Sequence, residues 1–247
     1  MADQLLNISL PTTPQFRMKI SVIIPTLNES EHIVNLIQFI QKFGSPHVLE
    51  IIVVDANSND NTAALVAGTG TTILNGAVAS RAGQMNQGSK VARGDVLYFI
   101  HADVLLVETF ADDISQAVQE GFEAGCYQYA FNSTRPILKM MAYFNRFNGL
   151  MCRGGDQTLF ITKKLFLKLN GFDEYYTIME DYDLIRRIMR KSPFKVFPKR
   201  ILVSARKYET NSWIRVQFAN LTAFMMFYLR RNPSQIRKAY KKMLKYR

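Results

Sequence analysis

Carboxylates lie at four points of this chain where a predicted strand ends or a predicted helix begins. They are Asp55 and Asp103 after predicted strands, Asp156 in a glycine-rich break, and the pair Glu180 and Asp181 at a predicted helix start. Each one alone has a structural explanation, as a helix cap, a turn former or a partner of the helix dipole. Together they could carry a metal-assisted group transfer, in which one binds a ribose or base, one holds the metal and one is the general base.

The run Val96–Ile100, which is followed by Asp103, is the most informative segment for function. Its five large residues have no polar face, which predicts a strand buried on both sides, as in the middle of a parallel sheet. Ligands of open α/β sheets bind at the carboxyl ends of such strands. Asp103 is therefore placed to hold a divalent cation, Mg²⁺ or Mn²⁺, against a substrate diphosphate, unless it only caps the next helix.

Strand-like apolar runs alternate with helix-like segments, which predicts an α/β fold with right-handed crossovers and a mostly parallel sheet. In the segment after the first strand, Ile33, Leu36, Ile37 and Ile40 fall on one helix face. The predicted strands are 19–25, 49–55, 71–74, 96–100, 124–131, 158–161 and one or two within 194–203. The other predicted helices are 62–67, 80–92, 136–147, 163–169, 179–190, 213–229 and 234–246.

Composition limits the chain to one substantial core, because it has 247 residues, of which 48% are hydrophobic. No early stretch has the pattern of a secretory signal. The two cysteines, Cys126 and Cys152, have neither CxxC spacing nor a paired cluster of histidine and cysteine. We therefore interpret them as reduced thiols of a cytoplasmic protein and not as a zinc site.

Positive charge is concentrated near the C-terminal end of a chain whose formal net charge is +11. Glu209 is the last acidic residue, and the nine charged side chains that follow it in the C-terminal tail are all lysine or arginine. Such a tail favours a polyanionic partner, which could be an anionic membrane surface, nucleic acid or an anionic substrate, with a solvated helix face as the alternative. Nucleic acid is unlikely, because no recognition module accompanies the tail.

The segment Trp213–Leu229 is a candidate membrane element. It is at the lower limit of length for a span, and it contains Arg215, Gln217 and Asn220. We therefore predict a helix that lies on the protein or on a bilayer surface, with the basic tail beside it. We expect the protein to be cytoplasmic, and if the helix lies on a bilayer surface, the protein is peripheral on the inner face of the membrane.

Several motifs together resemble the family-2-type glycosyltransferases, which have the GT-A fold. The segment Ile23–Glu29 resembles the family's first strand and loop, and Ile52–Asp55 with Ser58 resembles its nucleoside-binding signature. Asp103 falls where the family has its metal-binding motif, and Glu180–Asp181 resembles the acidic helix that supplies the catalytic base. The similarity spans about residues 19–240, nearly the whole chain.

A narrower resemblance is to a small bacterial branch, the selenodomain-associated transferases, a name that specifies no acceptor. It depends on four motifs: Arg81-x-x-Gln84-Met-Asn86-x-Gly88, Ala92–Asp95, His101–Asp103 and Gly155–Gln157. One of them departs from the wider family, because most members place two or three acids at the metal motif and this chain has a single carboxylate. His101 or water could complete the metal site, although a hydrogen-bonded, partly buried imidazole is the favoured interpretation.

The resemblance implies a GT-A-like (Rossmann-like) domain at 19–210, preceded by a flexible lead-in at 1–18 and followed by a basic helical extension at 211–247. It implies transfer of a sugar, with inversion, from a nucleoside-diphosphate sugar to an acceptor hydroxyl that the sequence does not identify. Asp103 would hold the divalent metal, and Asp181, or failing that Glu180, would be the general base. The residues expected to bind the nucleotide sugar are Pro25, Thr26, Asn28, Glu29, Asp55, Ser58, Arg81, Gln84, Asn86, Ala102, Asp156, Gln157 and Arg206.

Two other functions fit parts of the sequence. A non-catalytic protein that binds nucleotide sugars or polyanions on the membrane surface would explain the reduced metal motif and the basic tail. Such a protein has no need of the acids Asp156, Glu180 and Asp181. A nucleotidyltransferase would need a phosphate loop rich in glycine and basic residues soon after the first strand, and Thr26–Ser30 has neither.

Overall fold

In the computed structural model, seven strands form one mixed sheet with helices packed on both faces. This arrangement confirms the predicted α/β class with a mostly parallel sheet. The structure describes residues 18–76, 80–132, 146–147, 149–153 and 157–244. Most of the predicted lead-in, most of the predicted helix 136–147 and the predicted sugar-donor residue Asp156 lie outside the described residues.

The elements follow the predicted alternation closely. The strands are β1 Ile20–Thr26, β2 Val48–Asp55, β3 Thr72–Asn75, β4 Val96–Phe99, β5 Ala124–Phe131, β6 Leu159–Thr162 and β7 Phe194–Val203. The helices are α1 Ile33–Phe43, α2 Thr62–Ala67, α3 Arg81–Val91, α4 Phe110–Gln119, α5 Lys163–Lys168, α6 Glu180–Met189, α7 Lys207–Thr210, α8 Trp213–Tyr228 and α9 Pro233–Met243, with a 3₁₀ turn at Leu150–Cys152. In the sheet the strand order is β3-β2-β1-β4-β6-β5-β7.

Strand β1 lies in the parallel half of the sheet, and all seven of its residues are buried. It pairs in parallel with β2 on one side and with β4 on the other. Ile20, Val22 and Ile24 pack with α1 and α4 on one face, whereas Ile23 packs with α3 on the opposite face. Helices on both faces leave no solvent side, which explains why these strands are apolar throughout.

The carboxyl ends of the parallel strands lie at one edge of the sheet. Thr26 at the end of β1 is in register with Asp55 at the end of β2, and Asp55 is in register with Asn75 in β3. Strand β4 ends at Phe99, which is paired with Ile23. The loops that follow these four strands therefore open at the same edge, where an open α/β sheet binds its ligands.

The second half of the sheet differs from a simple parallel arrangement. Strand β6 is inserted antiparallel between β4 and β5, whereas β5 and β7 are parallel. Strand β7 is one continuous element that passes through Pro198. The sequence analysis also missed α4, although its buried residues Phe110, Ile114 and Ala117 have helical spacing.

The predicted C-terminal extension packs on the domain as two helices. Val216 and Ala219 of α8 join the main core, whereas Phe227 of α8 packs with Met179 and with Ile236 of α9. The described residues contain no helix that is both long enough and apolar enough to span a bilayer. Helix α8 packs on the protein, which is one of the two arrangements that the sequence predicts for the segment Trp213–Leu229, and the other, on a bilayer surface, stays a prediction.

Gly125 allows β5 to lie close to both of its neighbours, so we expect Gly125→Ala to destabilise the fold. A methyl group there would collide with the main-chain oxygen of Lys195 and would lie 2.6 Å from Cε1 of Phe160. Because the main chain of a paired strand cannot move aside, the free energy of unfolding should fall by about 1–3 kcal/mol in urea denaturation. In the control Gly149→Ala, the added methyl group has no neighbour within 4 Å among the described residues, so stability should be retained. Equal stability of both variants would contradict the close packing.

Candidate active site

Asp55 lies at the centre of the hydrogen-bonded rim at the carboxyl ends of β1 and β2. Its side chain accepts hydrogen bonds from the Thr26 hydroxyl (3.0 Å), the Ser58 main-chain N–H (2.8 Å) and the Ser58 hydroxyl. Asp55 is only 3% exposed. A carboxylate has about four acceptor positions, so these three bonds compensate its burial and leave capacity for one further donor, such as a ribose hydroxyl.

The loops after β1 and β2 are joined into one rim. Asn28 adopts a left-handed conformation (φ 58°), and its N–H donates to the Ser58 hydroxyl at 2.8 Å. The Asn28 side-chain oxygen in turn accepts from the N–H of Asn59 at 2.8 Å. The N–H of Glu29 donates to the Thr62 hydroxyl at 2.9 Å. These hydrogen bonds between the two loops therefore fix the position of the Glu29 main chain relative to the sheet.

A second cluster joins residues that are far apart in sequence. One guanidinium nitrogen of Arg206 lies 2.9 Å from an oxygen of Asp103 and 3.2 Å from both carboxylate oxygens of Glu29. Burial raises the pKa of Glu29 above its usual value, and the nearby Arg206 only partly offsets this effect. The structure thus brings together Glu29, Asp103 and Arg206, three of the residues that the sequence analysis named.

The arrangement of Glu29 and Asp103 fits a divalent cation. Both carboxylates contact the same guanidinium nitrogen, so both are directed at one position that accepts positive charge. Magnesium and similar ions are commonly held by one or two carboxylates together with substrate phosphates. The described residues contain no cluster of three or more histidines, cysteines or carboxylates that could hold a metal without such a ligand. His101 is half-buried, which agrees with the favoured interpretation of a partly buried imidazole.

The residues predicted to include the general base, Glu180 and Asp181, lie at the start of α6, which faces the start of α3. The buried carboxylate of Glu180 is 3.7 Å from the guanidinium of Arg81. This is an ion pair and is too long for a hydrogen bond. The residue before the helix, Met179, has the left-handed backbone (φ 69°). Asp181, the next residue of the helix, is half-buried beside this pair.

Three of the residues predicted to bind the nucleotide sugar make contacts within the protein that the sequence did not indicate. The buried amide of Gln84 donates to the main-chain oxygens of Thr26 (2.9 Å) and Val54 (2.7 Å), which holds α3 against the ends of β1 and β2. Asn86 exchanges hydrogen bonds with the main chain of Phe172. Buried Gln157 accepts a hydrogen bond from Arg153, a fully buried arginine that the sequence analysis did not single out.

Pro25 and Ala102 are buried at the ends of the strands that carry this rim. The contacts connect the predicted site residues into one region. Asp55 is linked through Ser58 to the loop of Asn28, and that loop carries Glu29 to Arg206 and Asp103. Helix α3 joins the other side, since it begins at Arg81 and contacts the end of β1 one turn later.

Comparison with known protein families identifies the family of this chain. The model of the family "Glycosyl transferase family 2" matches residues 21–194. This chain therefore belongs to glycosyl transferase family 2, as the motifs predicted. No match was found among curated proteins. The narrower resemblance to the selenodomain-associated branch is not confirmed by these comparisons and stays a prediction.

Solved structures confirm the GT-A-like fold. TarS 1–349 of S. aureus is similar with a TM-score of 0.65 at 18% identity, over 82% of this chain and 64% of that one. Thus the chain spans less than two thirds of that structure. The mannosyltransferase PcManGT from Pyrobaculum calidifontis, in complex with GDP-Man and Mn²⁺, has a TM-score of 0.64 at 18% identity over 93% and 71% of the two chains.

A third similar structure is the glucosyl-3-phosphoglycerate synthase from Mycobacterium tuberculosis, in complex with Mn²⁺, uridine diphosphate and phosphoglyceric acid. Its TM-score is 0.59 at 18% identity, over 83% of this chain and 78% of that one. At such low identity these likenesses establish the fold alone. The roles of individual residues must therefore be argued from the contacts described above.

The double hydrogen bond of Gln84 predicts a structural effect of its removal. We expect Gln84→Leu to lower the free energy of unfolding by about 1–3 kcal/mol, because a buried carbonyl loses its amide partner. The matched control is Gln87→Leu in the same helix, where only an exposed bond to Asn75 is lost and the change should stay below about 0.5 kcal/mol. Urea denaturation measures both variants. A Gln84 variant with unchanged stability and weakened nucleotide binding would instead make this residue purely a ligand contact.

Proposed function

We propose that this chain transfers a sugar from a nucleoside-diphosphate sugar to an acceptor hydroxyl, with inversion at the anomeric carbon and with the help of Mg²⁺ or Mn²⁺. The observation that carries the proposal is the convergence of three acidic groups at one edge of the sheet. These groups are Asp55 on its rim, Asp103 with Glu29 around Arg206, and the Glu180–Asp181 pair opposite Arg81. The first binds the nucleoside, the second the diphosphate with its metal, and the third activates the acceptor.

The nucleoside part of the sugar donor belongs at the rim formed by β1 and β2. Asp55 has capacity for one further hydrogen bond and is held immobile by Thr26 and Ser58. A ribose hydroxyl or a base N–H that reaches the rim would donate to this remaining acceptor position. Exposed Asn28 lies beside this position, and buried Pro25 and Ala102 support it from within the protein, at residues that the family resemblance implies for the nucleotide sugar. The similar structures that contain UDP or GDP-Man support this class of ligand.

Asp103 and Glu29 are the proposed ligands of the divalent metal, and Arg206 is their partner in its absence. When bound, the metal would stabilise the negative charge that develops on the departing diphosphate. A diphosphate offers Arg206 a new anionic partner, so the guanidinium can leave the two carboxylates and bind phosphate oxygens. Arg81, at the start of α3, adds a second positive charge on the side of α6.

Asp181 is the proposed general base, with Glu180 as its neighbour in the ion pair with Arg81. Glu180 is buried and paired with Arg81, whereas Asp181 is only half-buried, which favours Asp181 as the carboxylate that an acceptor hydroxyl can reach. Asp181 accepts the proton of the acceptor hydroxyl while that oxygen forms a bond to the anomeric carbon. The bond from this carbon to the diphosphate breaks, and the diphosphate leaves with the electron pair. Asp156 and Gln157 are proposed to orient the sugar or the acceptor.

We assign this activity to the cytoplasm. The support is the character of Cys126, a fully buried free thiol whose pKa is raised by burial to about 11. Such a thiol stays protonated and is a poor nucleophile, as expected of a structural cysteine that does not form a disulfide. The side chains that line the site determine which sugar, nucleotide base and acceptor are bound, and a ligand screen would identify all three.

The general base can be tested with Asp181→Asn. We expect turnover to fall by about 10²–10⁴-fold while affinity for the sugar donor is nearly unchanged, because the amide keeps the shape and loses the proton acceptor. Because the acceptor is unknown, the assay is slow hydrolysis of a panel of UDP- and GDP-sugars, with affinity measured by calorimetry. Asp173→Asn, an exposed change in the preceding loop, is the control. Full hydrolysis by the Asp181 variant would remove it as the base, and a wild type without hydrolysis would favour the non-catalytic binder.

The metal site can be tested with Asp103→Asn. Wild-type affinity for UDP or GDP should rise on addition of Mn²⁺, and this increase should be lost in the variant, because one of two carboxylate ligands is gone. Thermal shift with and without Mn²⁺ measures the effect. In the control Asp112→Asn, an exposed carboxylate of α4 is removed and the Mn²⁺ dependence should persist. The same affinity with and without Mn²⁺ in the wild type would contradict the proposed metal.

A further inference from the structure

Helix α8 exposes a row of large apolar side chains. They are Ile214, Phe218, Leu221, Met225 and Tyr228, followed by Leu229 at the helix end, and their exposure ranges from 48% to 73%. At 100° per residue, the five helical members fall within an arc of about 80° along roughly 21 Å of helix. Contiguous exposed apolar surface of this kind marks an interaction site. We call this row the apolar stripe.

The opposite side of α8 is already occupied by the protein. Val216, Ala219, Ala223 and Phe227 are buried against the domain and against α9. The apolar stripe is therefore not the core-facing side of α8 turned toward solvent. It is a second apolar face on a helix whose first face is satisfied.

Cations border the apolar stripe at both ends. Arg215 lies beside its beginning, where an open groove is lined by Ile214, Arg215, Phe218, Lys242 and Met243. Exposed Arg230 and Arg231 follow its end. The exposed face of α9 adds Arg237, Lys238 and Lys241, and the chain has no acidic residue after Glu209.

We infer that the apolar stripe, with its bordering cations, docks the protein on a phospholipid bilayer that carries anionic head groups. An apolar helix face flanked by lysine and arginine is the pattern of a helix that lies in the membrane interface, where apolar side chains enter the acyl boundary and cations contact phosphates. A second copy of this surface would bring like charges together, and nucleic acid would leave the apolar side chains unsatisfied. The bilayer satisfies both features at once.

Docking through this surface would orient the proposed catalytic region. Tyr182 of α6 packs against Phe224 and Phe227 of α8, and Arg186 lies over the ring of Phe227. The helix that begins with Glu180 and Asp181 is therefore the direct neighbour of the docking helix, about one helix diameter, some 10 Å, behind it. The acceptor hydroxyl would then be sought close to the bilayer surface.

Vesicle sedimentation of the full chain tests the inference, and it does not depend on enzymatic activity. We expect the protein to sediment with vesicles of phosphatidylglycerol and phosphatidylcholine and to stay in solution with pure phosphatidylcholine. Phe218→Ser with Leu221→Ser should reduce the partition coefficient at least about tenfold, because two apolar side chains no longer enter the lipid. Arg230→Gln with Arg231→Gln should weaken binding and its dependence on salt.

Matched controls lie on α5, on another part of the surface. Leu167→Ser removes a side chain that is 62% exposed, and Lys164→Gln with Lys168→Gln removes two exposed cations. These variants should bind vesicles as the wild type does, and circular dichroism should show that every variant is folded. Three results would overturn the inference: no vesicle binding, equal loss in the α5 controls, or self-association that Phe218→Ser with Leu221→Ser abolishes in place of vesicle binding.

Discussion

The burial of one carboxylate at the end of a strand governs the organisation of this site. Asp55 is nearly inaccessible to water, and a buried charge is tolerated only when hydrogen bonds replace its hydration. Three protein donors, from Thr26 and Ser58, meet this requirement. They also attach the loop after β2 to the loop after β1, through the contact of Asn28 with Ser58. The rim that we propose for nucleotide binding thus follows from the need to supply hydrogen bonds to one buried carboxylate.

The same requirement explains the arrangement around Arg206. Glu29 and Asp103 are brought close by loops from neighbouring strands, and two adjacent carboxylates repel each other unless a cation lies between them. The guanidinium supplies that cation in the protein alone. A site in which a metal ion can replace the guanidinium suits the proposed reaction. In that reaction an anionic diphosphate arrives with a metal and departs with additional negative charge.

The C-terminal helices connect this chemistry to the surface of the protein. Helix α8 uses one face to pack against α6, which carries the proposed base, and leaves an apolar face exposed between cations. The same helix can therefore stabilise the acidic start of α6 and present the whole site to a partner. A transferase whose acceptor lies at a membrane surface would need a helix that both packs firmly against the site and docks on the bilayer.

Much of the fold was determined by the sequence alone. Apolar runs without a polar face, such as Val96–Ile100, identify buried parallel strands. Carboxylates after those runs predict the edge at which we propose the active site, because ligands of such sheets bind there. The family resemblance also indicated the proposed nucleotide rim, since Asp55 and Ser58 lie only three residues apart in the motif that carries it. What the local pattern could not reveal is which distant groups meet.

Only the tertiary structure decided that Glu29, Asp103 and Arg206 share one position, because they follow β1, β4 and β7, and their meeting depends on the order of strands in the sheet. The antiparallel insertion of β6 was equally hidden, since pairing direction leaves no trace in the apolar pattern of a buried strand. The sequence also could not show that Gln84 and Asn86 bind main-chain groups of the protein. A polar residue on a helix looks alike in sequence whether its partner is a ligand or a carbonyl of the protein, and only packing places that carbonyl within reach.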